Sequence, residues 1–188
     1  MTRLQNTDAC RFALLCAVWM LVSIPGLAAD NAKPGEYQVK AAYLYNFGRF
    51  VEWPSGSSVS KGDPFTICVL GPDPFGPALD ATLAGETIDG MSVVPRRVSR
   101  PRDAVRCRIL FISAAEEGSL KETMAVLDKV SVLTVSDISQ FTRRGGMIQF
   151  SLEGNRIRFE VNLTAAERAG LTLSSQLLKL ALAVKRRD

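Results

Sequence analysis

Between Glu36 and Pro54 the apolar side chains recur every three to four positions. Plotted at about 100° per residue, Val39, Tyr43, Leu44, Phe47, Phe50 and Val51 share one arc, while Gln38, Arg49 and Glu52 lie opposite. This is the pattern of an amphipathic helix forming one wall of a core. Pro54 disfavours helical geometry at Trp53, and Ser55-Gly-Ser-Ser58 prolongs the break, so the spacing predicts a helix ending near Glu52. Tyr45 and Trp53 are the aromatics off the arc, which makes them candidate contacts with a second copy or another partner.

The period then changes. Phe65 to Leu70 reads as a buried strand closed by Gly71-Pro-Asp-Pro74, and Phe75 to Leu83 as a short helix stopped by Gly85. Met91 to Val94 is a weaker strand stopped by Pro95, with four arginines on a loop from Arg96 to Arg102. Cys107 to Ile112 is a further strand that runs into Ser113-Ala-Ala-Glu116, a capping-box pattern for a helix reaching about Asp128. Val130 to Val135 is the next strand, followed by a short capped helix at Ser136 to Phe141. Alternating strands and helices predict an α/β fold: a three-layer sandwich with a mostly parallel sheet and helices on both faces.

The end of the chain reads differently. Met147 to Leu152 and Arg156 to Val161 alternate about Gly154-Asn155, a two-residue turn that closes a β-hairpin. Ile157, Phe159 and Val161 share the dry face of its second strand, leaving Arg156, Arg158, Glu160 and Asn162 on the wet one. Thr164-Ala-Ala-Glu167 repeats the capping-box pattern, and Leu173, Leu177, Leu180 and Val184 are spaced as the stripe of a last helix.

Residues 1–29 have the organisation of a secretory signal peptide. Arg3 and Arg11 precede an apolar segment from Phe12 to Ile24, and small residues at Gly26, Ala28 and Ala29 offer a cleavage site. Leu14 and Leu15 before Cys16 do not make a lipoprotein signal. Residues 30–188 are then one exported domain, large enough to bury a core. Loss of Arg3, Arg11 and Asp8 lowers the formal charge from +4 to +3, and the one basic cluster, Lys185-Arg186-Arg187, is too small for a nucleic-acid binder. The mature chain keeps Cys68 and Cys107. In an oxidising compartment a disulfide is their natural pairing, contributing about 4 kcal/mol if it closes a loop of about 40 residues; two unpaired core thiols are the alternative.

The chain contains no histidine, which removes the commonest general base and metal ligand near neutral pH and excludes a serine triad. A paired Cys68 and Cys107 would leave no thiolate nucleophile and no thiolate metal site. Gly71 and Gly76 lack the lysine and spacing of a phosphate loop. The carboxylates Asp73, Asp80, Asp89, Glu116, Glu117, Asp137, Glu160 and Glu167 could serve glycoside hydrolysis only if two converged on a cleft. In an open α/β sheet a small ligand would lie beyond the strand carboxyl ends, where Gly71, Asp73, Ser113, Ser136 and Asp137 are expected to cluster.

Three segments, "KAAYLYNFGRFVEWP", "FTICVLGPDPFGPALD" and "IRFEVNLTAAERAGLTLSSQLLKLA", resemble the YfiR family of exported bacterial proteins across almost the whole mature chain. The resemblance implies a periplasmic, non-enzymatic negative regulator, without cofactor or metal. Such a protein binds the periplasmic sensor region of an inner-membrane diguanylate cyclase of the YfiN type and lowers cyclic di-GMP synthesis, and a YfiB-like outer-membrane lipoprotein can sequester it. It also implies that Cys68 and Cys107 are disulfide-bonded. A second cysteine pair that some members carry near the segment corresponding to Thr142 to Gln149 is missing here. Repression requires only tighter binding to the inactive sensor conformation. The expected partner surface is the wet face of the hairpin and the adjoining helix, with Arg158, Glu160 and Leu171, and a homodimer is the expected assembly. A periplasmic small-ligand sensor is the alternative function.

Overall fold

The computed structural model describes residues 35–55 and 62–186, which fall in one compact unit. The signal peptide expected at residues 1–29 lies outside the described residues. Helix α1 (Glu36–Phe50) leads into β1 (Val51–Glu52) and, past the Pro54 break, β2 (Phe65–Leu70). Then follow α2 (Pro77–Leu83), β3 (Thr87–Ile88) and β4 (Met91–Val98). A 3-10 turn (Pro101–Arg106) precedes β5 (Ile109–Ile112), and a second (Ala114–Ser119) precedes α3 (Leu120–Val126). The remainder is β6 (Leu133–Ser136), β7 (Ile148–Glu153), β8 (Arg156–Asn162), α4 (Leu163–Arg168), β9 (Thr172–Leu173), α5 (Ser175–Leu180) and β10 (Ala183–Lys185).

The main sheet runs β10-β8-β7-β6-β5-β2-β4-β3. Its centre, β4-β2-β5-β6-β7, is parallel throughout, the 2-1-3-4-5 order of a doubly wound α/β domain. Strand β8 pairs antiparallel with β7, β10 runs parallel to β8, and β3 folds antiparallel onto β4. The hairpin turn is the one read from Gly154-Asn155: Glu153 faces Arg156, and both turn residues have positive φ, +51° and +65°, as a type I′ turn requires.

Alternate residues of the central strands feed two cores. Ile67, Val69, Ile109, Phe111, Leu133 and Val135 point to the face covered by α1, α2, α4 and α5. Cys68, Leu70, Leu110 and Ile112 point to the opposite face, against Ala104, Leu120, Ile138 and Phe141. The fold is therefore α/β with helical cover on both sides, as the strand–helix rhythm predicts. The second layer stops at β6: among the described residues none of β7, β8 or β10 enters that core, and on the hairpin's other face Thr142 reaches Glu160 while Arg158 stays exposed.

On α1, Leu44 and Phe47 are buried as expected, and Phe47 packs at 5.1–5.9 Å against Tyr43, Phe150 and Phe159. The buried stripe is rotated from the predicted arc to include Lys40 and Gly48. Gly48 is required by the closeness of the sheet, since a Cβ there would lie 2.5 Å from Ile88 Cδ1. The helix stops at Phe50 rather than near Glu52 because Val51 and Glu52 pair with Leu173 and Thr172.

Several other elements depart from the sequence expectation. Strand β4 passes through Pro95 to Val98. The Val93 amide bonds outward to the Glu86 carbonyl at 2.9 Å, so the nitrogen two residues on faces the same open side and no ladder bond is lost. Ser113 makes no side-chain cap, and Glu116 instead accepts from Ser119 Oγ at 2.8 Å. The second expected capping box fails too: Asn162, not Thr164, caps α4 by accepting from the Ala165 amide. No helix forms at Ser136 to Phe141: Ser136 closes β6, and the chain bends and turns from Ile138 onward. Ser136 Oγ donates to the Ile112 carbonyl at 2.7 Å and accepts from the Ile138 amide at 3.0 Å, and Gln140 takes φ +58°. The last helix ends at Leu180, because Leu182 donates to the Phe159 carbonyl at 2.8 Å and draws the chain onto the open edge of β8 as β10.

Candidate functional site

The crevice of a doubly wound sheet opens where neighbouring strands send the chain to opposite faces. Here that point lies between the carboxyl ends of β2 and β5, where the Ser113 amide donates to the Leu70 carbonyl at 3.0 Å. It is filled from within. Glu116 lies over Gly71 so closely that a Cβ on Gly71 would stand 2.6 Å from Glu116 Oε1.

The acids expected at this edge are engaged. Asp73 accepts from the Phe75 amide at 2.8 Å and from Arg97 Nε at 2.9 Å, and Arg97 also grips both oxygens of Asp80. The Asp80 bond, reinforced by Asp73, raises the Arg97 guanidinium pKa, and Arg97 holds the Asp80 carboxyl below its usual range. Asp137 Oδ2 accepts from Tyr37 at 3.0 Å and from Lys40 at 2.7 Å, while Lys40, only 2% exposed, also sits 2.5 Å from Glu36 and 4.4 Å from the Tyr37 ring centre. Burial and the Asp137 charge push the Tyr37 phenol up to about 12. An ordinary phenol is already protonated at neutral pH, and this shift takes Tyr37 further from service as a general base. The cluster is an internal clasp between α1 and the end of β6. Among the described residues no group of three or more His, Cys, Asp or Glu side chains could hold a metal ion.

The hairpin end is more open. Arg158 is exposed on the face opposite the larger core. Glu160, on the same face, is half-buried and bound to Lys185 and to Thr142 Oγ1, 3.3 Å away. Leu171 departs from expectation: it is 1% exposed and belongs to the larger core, because the residue after the Gly170 turn is pulled beneath α4 by its amide bond to the Ala166 carbonyl. Sequence spacing missed the large apolar side chains that do reach solvent, Leu152, Leu180, Leu182 and Val184, at 41–62% exposure. Leu180 and Val184 were spaced as part of a core-helix stripe, and the turn from α5 into the edge strand β10 brings them and Leu182 to solvent, while Leu152 stands beside the hairpin turn.

Tyr45 is half-buried, with its hydroxyl 3.4 Å from the Thr87 carbonyl. Trp53 is also half-buried, edge-on to Phe65 at 5.3 Å and 5.6 Å from the Arg108 guanidinium; its indole N–H is buried without an acceptor among the described residues. Cys68 and Cys107 form a disulfide with Cα atoms 6.0 Å apart, buried on the second face. This geometry decides between the two cysteine readings in favour of the bridge.

What these features define is a disulfide-braced, doubly wound α/β domain whose sheet crevice is closed and whose outer hairpin is open on one face. Residues 37–182 match the YfiR/HmsC-like family, and the chain belongs to that family, a regulatory one acting in diguanylate cyclase signalling. The fold is also similar to that of a conserved domain protein from Vibrio cholerae O1 biovar eltor str. N16961, with a TM-score of 0.55 at 12% identity. The alignment covers 80% of this chain and 60% of that one, and at such identity it speaks for the fold alone. Among the described residues no helix is long and apolar enough to cross a membrane.

Proposed function

We propose that this protein is a periplasmic, non-enzymatic negative regulator that binds the periplasmic sensor region of an inner-membrane diguanylate cyclase of the YfiN type and lowers cyclic di-GMP synthesis. The observation that carries the reading is membership of the YfiR/HmsC-like family over residues 37–182. Binding without chemistry suffices, because a ligand that prefers the inactive sensor shifts the cyclase toward it by its differential affinity. The partner surface we propose joins the open face of the hairpin, where Arg158 is exposed, to its edge, where Leu182 and Val184 of β10 and the preceding Leu180 reach solvent. Exposed apolar side chains along an unpaired strand edge are the usual substrate of protein association. A YfiB-like outer-membrane lipoprotein would compete for the regulator, and a homodimer would use Tyr45 and the Trp53 end of α1.

Deleting the gene should raise cellular cyclic di-GMP, and unchanged levels with the cyclase well expressed would overturn the proposal. Leu182→Glu combined with Arg158→Glu should abolish capture of the cyclase from membrane extract while leaving the circular dichroism spectrum intact. The alternative of a small ligand at the strand carboxyl ends is disfavoured by the Glu116 side chain lying over Gly71.

A further inference from the structure

A cleft of about 310 Å³ opens at the end of the sheet where β8 and β10 finish, lined by Thr142, Arg143, Asn162, Thr164, Arg168 and Lys185. Its floor is a closed polar network. Lys185 bonds Glu160 and Thr142 Oγ1, the Asn162 side chain donates to the Thr142 carbonyl at 2.8 Å, and its oxygen accepts from the Ala165 amide at 3.0 Å. Glu160 thus neutralises Lys185 and fixes it in place.

The two guanidiniums on the walls have no such balance. Among the described residues no ion pair holds Arg143 or Arg168, although their chain neighbours are engaged: Arg144 binds Glu117 at 2.8 Å, and Glu167 faces Arg186 at 4.0 Å. Next to the cleft, sharing Gly145, Ala165 and Arg168 with it, is a recess of about 140 Å³ lined by Met124, Leu127, Met147 and Ala169 together with Asp128 and Lys129. Two unpaired cations therefore stand over a prepared polar floor, with a small, partly apolar recess beside them.

We propose that this cleft binds a small organic phosphate, its dianionic head shared between Arg143 and Arg168 and its apolar body in the Met124–Met147 recess. A guanidinium presents paired donors that match two oxygens of a phosphate, and two of them balance its charge near neutral pH. A monocarboxylate brings one negative charge and would balance only one of the two guanidiniums.

The test is calorimetric titration of the purified mature protein with phenyl phosphate, needing no cyclase and so standing apart from the regulator reading. Saturable binding is expected, displaced by inorganic phosphate and about tenfold tighter than that of benzoate. Arg143→Gln and Arg168→Gln should each weaken it about tenfold or more, while Arg156→Gln, on the hairpin outside the cleft, should leave it unchanged. No saturable heat, equal binding of benzoate, failure of phosphate to compete, or an equal loss in Arg156→Gln would each overturn the assignment.

Discussion

Replacing Lys40 by methionine tests how a buried charge is held between α1 and the sheet. Lys40 is 2% exposed, its ammonium 2.7 Å from Asp137 and 2.5 Å from Glu36, and removing it strands the Asp137 carboxylate, whose side chain is 15% exposed. Removing one partner of a buried pair typically costs about 3–5 kcal/mol. The 41% exposure of Glu36 and the surviving Tyr37 bond argue for the lower end, about 3 kcal/mol. For a domain of this size that corresponds to a fall in Tm of about 6–12 °C. Urea and thermal denaturation followed by circular dichroism would measure it. Adding Asp137→Asn to Lys40→Met should return more than half of the loss, because the stranded charge is gone. A single variant costing under about 1 kcal/mol, or a double variant whose losses simply add, would refute the account of Lys40 as a charge clamp.

Three further outcomes follow from the geometry. The Cys68→Ala/Cys107→Ala double variant should lose about 4 kcal/mol in urea unfolding, the loop-closure contribution of the bridge, and an unchanged midpoint would contradict that origin. Gly146→Ala would put a Cβ 2.1 Å from Cε1 of the buried Phe141 ring and should cost about 1–3 kcal/mol, measured by the same unfolding assay. Tyr37, raised from 10.0 to about 12 by burial and Asp137, binds its proton more tightly folded than unfolded. Its contribution to stability is full below pH 10 and is lost as pH rises towards 12. Phenolate absorbance should show a tyrosine titrating near 12 in the native protein, an increment lost in Tyr37→Phe.

Much of this was legible in the chain. The β2, β5 and β7–β8 segments follow from apolar period and bounding turn residues, and Gly154-Asn155 specifies its hairpin because a type I′ turn requires two positive φ angles. The α/β class likewise rests on residue type and near neighbours, while the expected Cys68–Cys107 bridge, 39 positions apart, is made by the adjacency of β2 and β5.

Tertiary structure decided what depends on distant partners. Leu173 to Val184 fits a helical stripe, but the open edge of β8 converts its end to strand and exposes Leu180, Leu182 and Val184. Ser113 and Thr164 match capping motifs, yet Glu116 turns to Ser119 and Asn162 takes the second cap. Lys40 is buried because Asp137, 97 positions away, arrives to meet it. Arg143 and Arg168 share a cleft only once α4 is folded beside the turns after β6. Periodicity and turn chemistry are local properties, whereas edge pairing, charge burial and cleft formation are settled by which remote segments the sheet order brings together.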